Sequence, residues 1–245
     1  MAWPAPLWHV ETVGSTNDWL KAMAREGAAA WTVVRADSQS SGRGRGGHSW
    51  TSEPGDLFLS VILPPPGNRP LTLLPLLAGV AVAEAVRERG AKAQLKWPND
   101  VLASDRKLGG ILIESSTEGQ GPATIVAGIG LNLVLEPERL GEPLRSSATS
   151  FRALGLTPPS PDDAASEVLA RLFVWYHAFA TGGGEKLRAA WRALAVDWWG
   201  RTVQAGAAVR GIVRDIDARG ALILETEGGR RIAVMSGDVR EIRLA

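Results

Sequence analysis

The sequence contains no cysteine, and this absence removes several kinds of chemistry at once. Disulfides, thiolate metal sites and thioester intermediates are excluded. The three histidines, His9, His48 and His177, lie far apart without metal-ligand spacing, so a structural zinc site is not expected. Since no histidine–acid pair is evident either, covalent catalysis has no obvious agent.

Long apolar runs and a large net charge are also missing. The longest apolar candidate, Leu71 to Val86, is interrupted by Pro75 and Glu84 and does not reach the length of a membrane span. The segment Met1 to Ala5 lacks the basic and apolar regions of a signal peptide. Lys+Arg 27 against Asp+Glu 26 gives a net charge of +1, which favours neither nucleic acid nor an anionic membrane as a partner. We therefore expect a cytoplasmic protein without a membrane partner.

Lysine is scarce in a chain that is otherwise of ordinary composition. At 245 residues, with 45% hydrophobic and 22% charged residues, the chain suits one substantial domain, or one with a small appendage. Of its 27 cationic residues only five are lysines, which makes each lysine more informative: Lys21, Lys92, Lys96, Lys107 and Lys186.

The most informative segment that is present runs from Gly42 to Trp50 and alternates glycine with arginine. It matches the dinucleotide-binding pattern, but that pattern requires a helix directly afterwards, whereas Leu57 to Leu63 reads as a buried strand. A nucleic-acid-binding arginine–glycine tract would usually repeat in a basic low-complexity region. The third interpretation is an active-site loop that grips an anion with backbone amides and guanidinium groups. Such a loop is expected to be mobile until a ligand orders it.

A cluster of polar residues precedes the first predicted helix. Ser15, Thr16, Asn17 and Asp18 are all helix N-cap types, and they are followed by helical spacing up to Glu26. The simplest interpretation is capping alone. Three hydroxyl and amide groups exceed what one cap requires, however, and a helix N-terminus favours a polar ligand.

The remaining pattern predicts a larger mixed domain followed by a small all-β module. Helical spacing covers Leu74–Arg89, Asp162–Ala180 and Glu185–Ala195, while strands are predicted at Trp31–Ala36, Gln94–Trp97, Ala123–Val134 and in a hairpin from Val101 to Glu114. After Trp199, short segments separated by glycine turns predict strands at Arg201–Ala205, Ala208–Asp215, Ala221–Glu225 and Arg231–Met235. We place the domains at residues 1–198 and 199–245.

Several polar side chains interrupt apolar strands or stand at strand ends, and four of them are cationic: Arg43, Arg45, Lys96, Asn99, Asp100, Lys107 and Asn132. A cationic pocket with glycine-rich access suits an anionic ligand and charge stabilisation in a transition state. Attack by a carboxylate on the α-phosphate of ATP fits best, because an ionised carboxylate needs no base. Asp100 either helps to hold Mg²⁺ bound to phosphates or is a turn aspartate paired with Lys96.

Four motifs in this order resemble the biotin–protein ligase family, from about Val10 to the end of the chain. They are Gly42 to Trp50, Lys96 to Asp100, Arg106 to Leu112 and Gly128 to Asn132, and they follow the Ser-Thr-Asn start at Ser15. The resemblance implies an α+β fold with a mixed sheet flanked by helices, of the class II synthetase-like type, and an SH3-like β-barrel at the C-terminus. Trp97 is expected to be a core residue.

The resemblance also implies a two-step reaction and roles for the site residues. Biotin and MgATP give biotinyl-5′-AMP, and a lysine of the biotin carboxyl-carrier domain of a biotin-dependent carboxylase then takes the biotinyl group. Ser15, Thr16, Asn17 and Gln39 are similar to contacts of the biotin head, and Arg43, Gly44 and Arg45 to residues that close over the tail and the adenylate. Lys107 resembles the lysine that holds carboxylate and α-phosphate together. Trp50, Asn99, Asn132 and Lys96 are assigned to the ATP side, and Asp100 to the metal.

Alternatives and departures accompany this hypothesis. The family usually has arginine where this chain has His48, so one phosphate contact is expected to be weaker or pH-dependent. Only fourteen residues precede Ser15, so no winged helix-turn-helix and no DNA partner are expected. A lipoate- or octanoate-handling ligase or transferase is the enzymatic alternative, and an RNA-binding module is the alternative from another class. The sequence leaves open a monomer or a homodimer.

Overall fold

The computed structural model describes residues 7–117, 123–206 and 209–241 of the chain, which form two sheets. The first sheet has seven strands in the order β1-β2-β3-β7-β6-β5-β4, of which only β1 and β2 run parallel. It is therefore mixed, as predicted. Its strands are β1 (Leu7–Val13), β2 (Val33–Gln39), β3 (Leu57–Leu63), β4 (Ala93–Lys96), β5 (Asp100–Ala103), β6 (Arg106–Ser116) and β7 (Thr124–Leu131).

Helices cover both faces of this sheet. They are α1 (Thr16–Arg25), α2 (Leu74–Glu88), α3 (Leu144–Ser147), α4 (Pro161–Ala180) and α5 (Gly184–Leu194), with single 3₁₀ turns at Arg45–Gly47, Leu71–Leu73 and Pro137–Arg139. The largely apolar α2 lies in the main core with α4 and α5. On the opposite face α1 buries Leu20 against Val34, Ile62 and Val126. Among the described residues, no helix has both the length and the apolarity needed to cross a bilayer.

The strand β3 lies inside the first sheet, between β2 and β7, and all seven of its residues are buried. This continuous apolar run is what a strand covered on both faces requires. Ser60 is its polar exception and is 0% exposed. The N-terminus of α1 lies above this position, which brings the Ser-Thr-Asn segment to the middle of the sheet.

The second sheet is an SH3-like antiparallel module with the strand order β11-β10-β9-β8-β12. Its strands are β8 (Thr202–Ala205), β9 (Val209–Ile216), β10 (Leu222–Glu225), β11 (Arg231–Val234) and β12 (Val239–Glu241). Its apolar residues join the same core as α2 and β4. Trp97, which is buried as expected, donates from Nε1 to the carbonyl oxygen of Gly220 at 2.9 Å, and so ties the two sheets together.

The sequence pattern missed the first and last strands. β1 is an edge strand whose side chains are mostly exposed, and β12 has only three residues, so neither carries an apolar alternation. The predicted strand from Trp31 begins at Val33 because Trp31 adopts a φ of 72°. Ala208, the first residue of another predicted strand, lies outside the described residues.

The predicted strand Ala123–Val134 is also too long, since β7 ends at Leu131. The buried carboxylate of Asp56 accepts hydrogen bonds from the backbone N–H groups of Leu133 and Val134 at 2.7 Å and of Leu135 at 3.2 Å. Burial raises the pKa of Asp56, and these three donors offset part of that effect. The chain therefore turns away from the sheet directly after Asn132.

Candidate active site

Two adjoining cavities lie beside the N-terminus of α1 and beneath the Gly42–Trp50 loop. The first, which we call the inner cavity, has a volume of about 50 Å³. The second, the outer cleft, has a volume of about 520 Å³ and opens towards the second sheet at Gly237 and Asp238. Five of the predicted residues line only the inner cavity: Ser15, Thr16, Asn17, Gln39 and Arg43. Five line both cavities: Gly44, Arg45, Trp50, Asn99 and Lys107. Two line only the outer cleft: Asp100 and Asn132.

Of the predicted site residues within the described chain, Lys96 lies in the wall of neither cavity. It stands opposite Asp100 in the β4–β5 register. Asp100 itself forms an ion pair with Lys107, with 2.6 Å between Oδ1 and Nζ. The contact of Lys96 with ATP therefore stays a prediction.

The floor of the inner cavity is a network of buried hydrogen bonds. Ser15 occupies the N-cap position of α1, yet its side chain makes no capping bond. Thr16 donates its backbone N–H to Gln39 Oε1 at 2.9 Å, and its hydroxyl lies 3.1 Å from the same oxygen. The polar cluster thus faces the cavity rather than serving only as a cap.

Asn17 is held by protein groups at both ends of its amide. Its Nδ2 donates to Glu114 Oε2 at 2.7 Å, and its Oδ1 lies 2.7 Å from Ser60 Oγ. The side chain is 2% exposed. Asn17 lines the cavity, but its strong hydrogen bonds go to the protein.

The loop arginine Arg43 is engaged by two carboxylates. Its guanidinium forms a bidentate pair with Asp18, in which Nη2 lies 2.7 Å from Oδ1, and it reaches Glu114 Oε2 at 3.2 Å. Lys21 bridges the same two acids at 2.8 Å from Asp18 and 3.0 Å from Glu114. Two cations and two anions therefore balance beside the inner cavity.

These pairings change the pKa values of both acids. The hydrogen bond from Arg43 is the main reason that the pKa of Asp18 lies well below its usual range. Burial by itself would raise the pKa of Glu114, but hydrogen bonds from Asn17 and Lys21 lower it instead. Both groups are therefore carboxylates at neutral pH.

Trp50 lies across a pair of glycines on neighbouring strands. A Cβ atom at Gly130 would be 2.5 Å from Trp50 Cε2, and one at Gly110 would be 3.0 Å from Cζ3. Any larger residue at Gly130 would displace the indole. Among the described residues, the buried Trp50 Nε1–H has no hydrogen-bond acceptor.

Lys107 stands where the two cavities meet. Its Nζ pairs with Asp100 and lies 5.4 Å from the centre of the Trp50 ring. Asn132 fixes the backbone at this point, because its Nδ2 donates to the carbonyl oxygens of Lys107 at 3.2 Å and of Thr149 at 2.9 Å. Asn99 donates to the carbonyl of Ile111 at 2.7 Å. The two asparagines thus hold the walls on either side of the lysine.

The acidic groups fit a magnesium ion that enters with phosphate better than a resident one. In the described parts of the chain, no three His, Asp or Glu side chains converge as a metal cage. Asp100 and Asp238 both line the outer cleft. Magnesium commonly uses one or two carboxylates together with substrate phosphates, and this donor set meets that requirement.

The sequence pattern missed several residues of the site, including Asp18 as a partner of Arg43, Glu114, Ser60 and the glycines Gly110 and Gly130. Ser60 carried a usable signal, since it is the polar residue within an apolar strand. No sequence signal marked Gly237 and Asp238 as lining residues of the outer cleft, because their place there depends on how the second sheet packs against the first.

Comparisons with known proteins agree with this geometry. Residues 10–132 match the biotin/lipoate A/B protein ligase family, and residues 200–240 match the biotin protein ligase C-terminal domain. A biotin--[acetyl-CoA-carboxylase] ligase of Mycobacterium tuberculosis is 37% identical over 254 residues, covering 96% of this chain and 88% of the relative. The bifunctional ligase/repressor BirA of Bacillus subtilis is 30% identical over 236 residues, covering 94% and 72%.

The fold comparison points the same way. The structure of the biotin protein ligase from Aquifex aeolicus in complex with biotin and ATP superposes with a TM-score of 0.82 at 27% identity, covering 97% of this chain and 99% of that one. Because both family models and these relatives match, the chain belongs to the biotin/lipoate A/B protein ligase family and, within it, to the biotin protein ligases.

Proposed function

We propose that this chain joins biotin to ATP in the two cavities and then transfers the biotinyl group to a lysine of a biotin carboxyl-carrier domain. The observation that carries the proposal is that Lys107 and Arg45 line both cavities. A carboxylate in the inner cavity and a triphosphate in the outer cleft would therefore meet beside two cations. M. tuberculosis and Paracoccus denitrificans relatives are named as ligases that act on acetyl-CoA carboxylase, which supports a carrier of that kind.

The floor of the inner cavity suits the head of biotin better than that of lipoate. A cyclic urea offers one carbonyl acceptor and two N–H donors, which match the hydroxyl and amide groups of Ser15, Thr16 and Gln39. A dithiolane ring offers no such groups. Lipoate would leave the hydrogen-bonding groups that these side chains turn towards the cavity without a ligand partner, at a cost of about 1–3 kcal/mol for each one.

In the first step, a carboxylate oxygen of biotin attacks the α-phosphorus of ATP and pyrophosphate leaves. No proton has to be removed, since the carboxylate is ionised at neutral pH. Lys107 and Arg45 offset the negative charge that gathers between the two substrates. Asp100 and Asp238, which both line the outer cleft, would hold a Mg²⁺ ion that enters with the phosphates, and that ion would supply further charge neutralisation.

In the second step, the neutral amine of the carrier lysine attacks the acyl carbon of the adenylate. A C–N bond forms, the C–O bond to the phosphate breaks, AMP leaves, and the amine proton passes to solvent. Gly44 allows the loop backbone to approach the adenylate closely, and Arg43 and Arg45 complete the cover over it. Trp50 Nε1–H supplies a donor for the nucleotide side.

Biotin-dependent exchange of pyrophosphate into ATP tests this function. Exchange with biotin and not with lipoate is expected, followed by biotin transfer to a carrier domain. Exchange with lipoate but not with biotin would overturn the assignment. A carrier whose target lysine is replaced by arginine is the matched control for transfer.

The proposal also includes the finer expectations from the sequence. These are that the domain boundary lies between residues 198 and 199, that the protein is cytoplasmic, and that it does not act directly on DNA. Limited proteolysis, cell fractionation and a gel-shift assay with duplex DNA test these three points separately. Sedimentation with and without biotin and ATP decides between monomer and homodimer.

A further inference from the structure

The buried hydroxyl of Ser60 touches two groups of the inner cavity at once. Its Oγ lies 2.7 Å from Thr16 Oγ1 and 2.7 Å from Asn17 Oδ1. Ser60 is 0% exposed and comes from the middle of β3, so no solvent competes for these bonds. A hydroxyl has one proton to give, and the neighbouring groups decide where it goes.

The starting point of this hydrogen-bond chain is Glu114. Its carboxylate can only accept, and it accepts from the amide nitrogen of Asn17 at 2.7 Å. The backbone carbonyl of Leu112, at 3.4 Å from the same nitrogen, is also an acceptor. The Asn17 amide is thereby fixed with its oxygen towards Ser60. Because that oxygen can only accept, the proton of Ser60 is committed to Asn17.

The hydroxyl of Thr16 is then left with one role towards Ser60. With the Ser60 proton committed, the 2.7 Å contact is a hydrogen bond only when Thr16 is the donor. Gln39 Oε1 is a second acceptor for the Thr16 hydroxyl at the longer distance of 3.1 Å, and it also accepts the backbone N–H of Thr16 at 2.9 Å, so the Thr16 proton stays between two protein acceptors. With its proton used inside the protein, Thr16 Oγ1 presents lone pairs to the inner cavity.

We propose that Ser60 is a positioning residue for specificity: Asn17 and Glu114 fix the direction of its hydroxyl, and Ser60 in turn makes Thr16 Oγ1 a hydrogen-bond acceptor for a ring N–H of the ligand. The inference rests on the proposed function, because it assigns the ring N–H to the ureido group of biotin. It explains why a buried strand keeps a hydroxyl in its centre. It also gives Asn17 a role that needs no direct bond to the ligand.

Ligand analogues separate this role from a merely structural one. In the two cyclic carbamate analogues of biotin, one or the other ureido N–H is replaced by a ring oxygen. The unaltered chain should bind biotin about 10- to 100-fold more tightly than the analogue whose oxygen faces Thr16, since two acceptors would then oppose each other. In Ser60→Ala the shorter 2.7 Å contact is lost and only the 3.1 Å bond to Gln39 holds the Thr16 proton, so the hydroxyl can turn and donate to the analogue, and this ratio should fall. Affinities are measured by calorimetry on the full chain.

A matched control and a second variant make the result decisive. Ser38→Ala removes a hydroxyl that bonds to Thr12 at 2.9 Å in the neighbouring strand, away from both cavities, and should leave the ratio unchanged. Glu114 is part-exposed, and Glu114→Gln replaces it with a side chain of nearly the same shape. Because glutamine can donate as well as accept, the Asn17 amide is no longer fixed in one orientation. The substitution should lower the ratio in the same direction, even if Ser60→Ala proves too unstable to study.

Each outcome has a clear meaning. A ratio that falls in Ser60→Ala or Glu114→Gln but not in Ser38→Ala supports the inference. Equal losses of affinity for biotin and analogue, with the ratio intact, overturn the inference and leave the proposed function standing. Failure of the unaltered chain to bind biotin overturns the proposed function and this inference together.

Discussion

The floor of the inner cavity and the loop above it differ in the type and the burial of their residues. The floor uses neutral, buried groups on the sheet and at the start of α1, such as Thr16 and Ser60. The loop uses glycine and arginine, and its cation Arg43 is paired with acids that are themselves partly exposed. A ligand therefore meets a floor whose hydrogen bonds are already arranged. In the loop, it must compete for cations that have other partners.

The difference separates recognition from chemistry. A prearranged floor selects the ligand at little cost on binding, because its side chains are ordered before the ligand arrives. The inner cavity, at about 50 Å³, has room for only a few water molecules. The loop residues Gly44, Arg45 and Trp50 line both cavities, so a ligand that extends from the inner cavity into the outer cleft passes beside them. Closing these residues over the ligand would shield the reacting groups from water.

The largest expected effect comes from the lysine between the two regions. Lys107→Ala should lower the rate of adenylate formation by about 10²–10³-fold, because it removes charge stabilisation at the reacting centre. The affinity for biotin should fall far less, since the floor is untouched. Single-turnover formation of biotinyl-5′-AMP and thermal unfolding measure the two effects. Lys92→Ala, at an exposed lysine, is the control, and a normal single-turnover rate in Lys107→Ala would refute the role.

Glycine-to-alanine changes test the rigidity of the two regions directly. At Gly128 in the floor, a Cβ would collide with Asn17 Oδ1 and lie 3.0 Å from its Cγ, and Asn17 is bonded at both ends. Gly128→Ala should destabilise the chain by about 1–3 kcal/mol, as overpacking does. At Gly44 in the loop the nearest atom would be 3.5 Å away and φ is −105°, so Gly44→Ala should be neutral or slightly stabilising.

Urea unfolding of both glycine variants measures this contrast. Equal destabilisation by the two substitutions would contradict the distinction between a rigid floor and an adaptable loop.

The ion pair between Asp18 and the loop residue Arg43 should weaken only at low pH. The pKa of Asp18 is lowered in the folded chain, so its contribution to stability is complete above the unfolded value of about 3.9 and is lost as pH falls towards the folded value. Because the side chain is half exposed, Asp18→Asn should cost less than about 1 kcal/mol at pH 7. The difference between variant and unaltered chain should be constant from pH 5 to 7 and shrink below about pH 4.

Urea unfolding at pH 7, 5 and 3 checks the sign of this dependence. A gap that widens as the pH falls would show that Asp18 does not stabilise the fold through its charge.

The smallest expected effect is one of mobility. Amides of residues 42–49 should exchange quickly in the free chain and become protected when biotin binds, since the loop has few backbone hydrogen bonds of its own, such as Gly44 N–H to the His48 carbonyl at 2.7 Å, and ligand contacts would add to them. Amides of β3 around Ser60 should be protected in both states. Hydrogen-exchange mass spectrometry resolves the two segments, and equal protection of residues 42–49 with and without biotin would count against a ligand-ordered loop.

Much of this organisation could be predicted from the sequence. The apolar run Leu57–Leu63, the helical spacing of α2 and α4, and the change to short strands after Trp199 all act locally, and the structure confirms them. Most polar residues that were picked for their pattern do line one of the two cavities. Edge strand β1 and three-residue β12 escaped prediction because pairing with a neighbour, rather than an apolar pattern, makes them strands.

Site partners were harder to predict than site residues. Asp100 was expected to hold a metal or to pair with Lys96, whereas its ion pair in the structure is with Lys107, on the neighbouring strand of the hairpin. Asp18 was expected to cap a helix, and it also binds Arg43 from the loop. The first pairing depends on the register of the hairpin and the second on the path of the loop, and the apolar pattern of the sequence specifies neither.

By itself, the sequence determined the chemical inventory of this protein: no thiol, few lysines, a glycine–arginine loop, and motifs whose order resembles one family of ligases. Propensity and apolar periodicity act over a few residues, so they also placed most of the helices and strands. Only the tertiary structure decided that Lys107 stands between two cavities and that Ser60 meets Thr16 and Asn17. The physical reason is that hydrogen bonds and ion pairs depend on distances of about 3 Å, which only the folded chain sets.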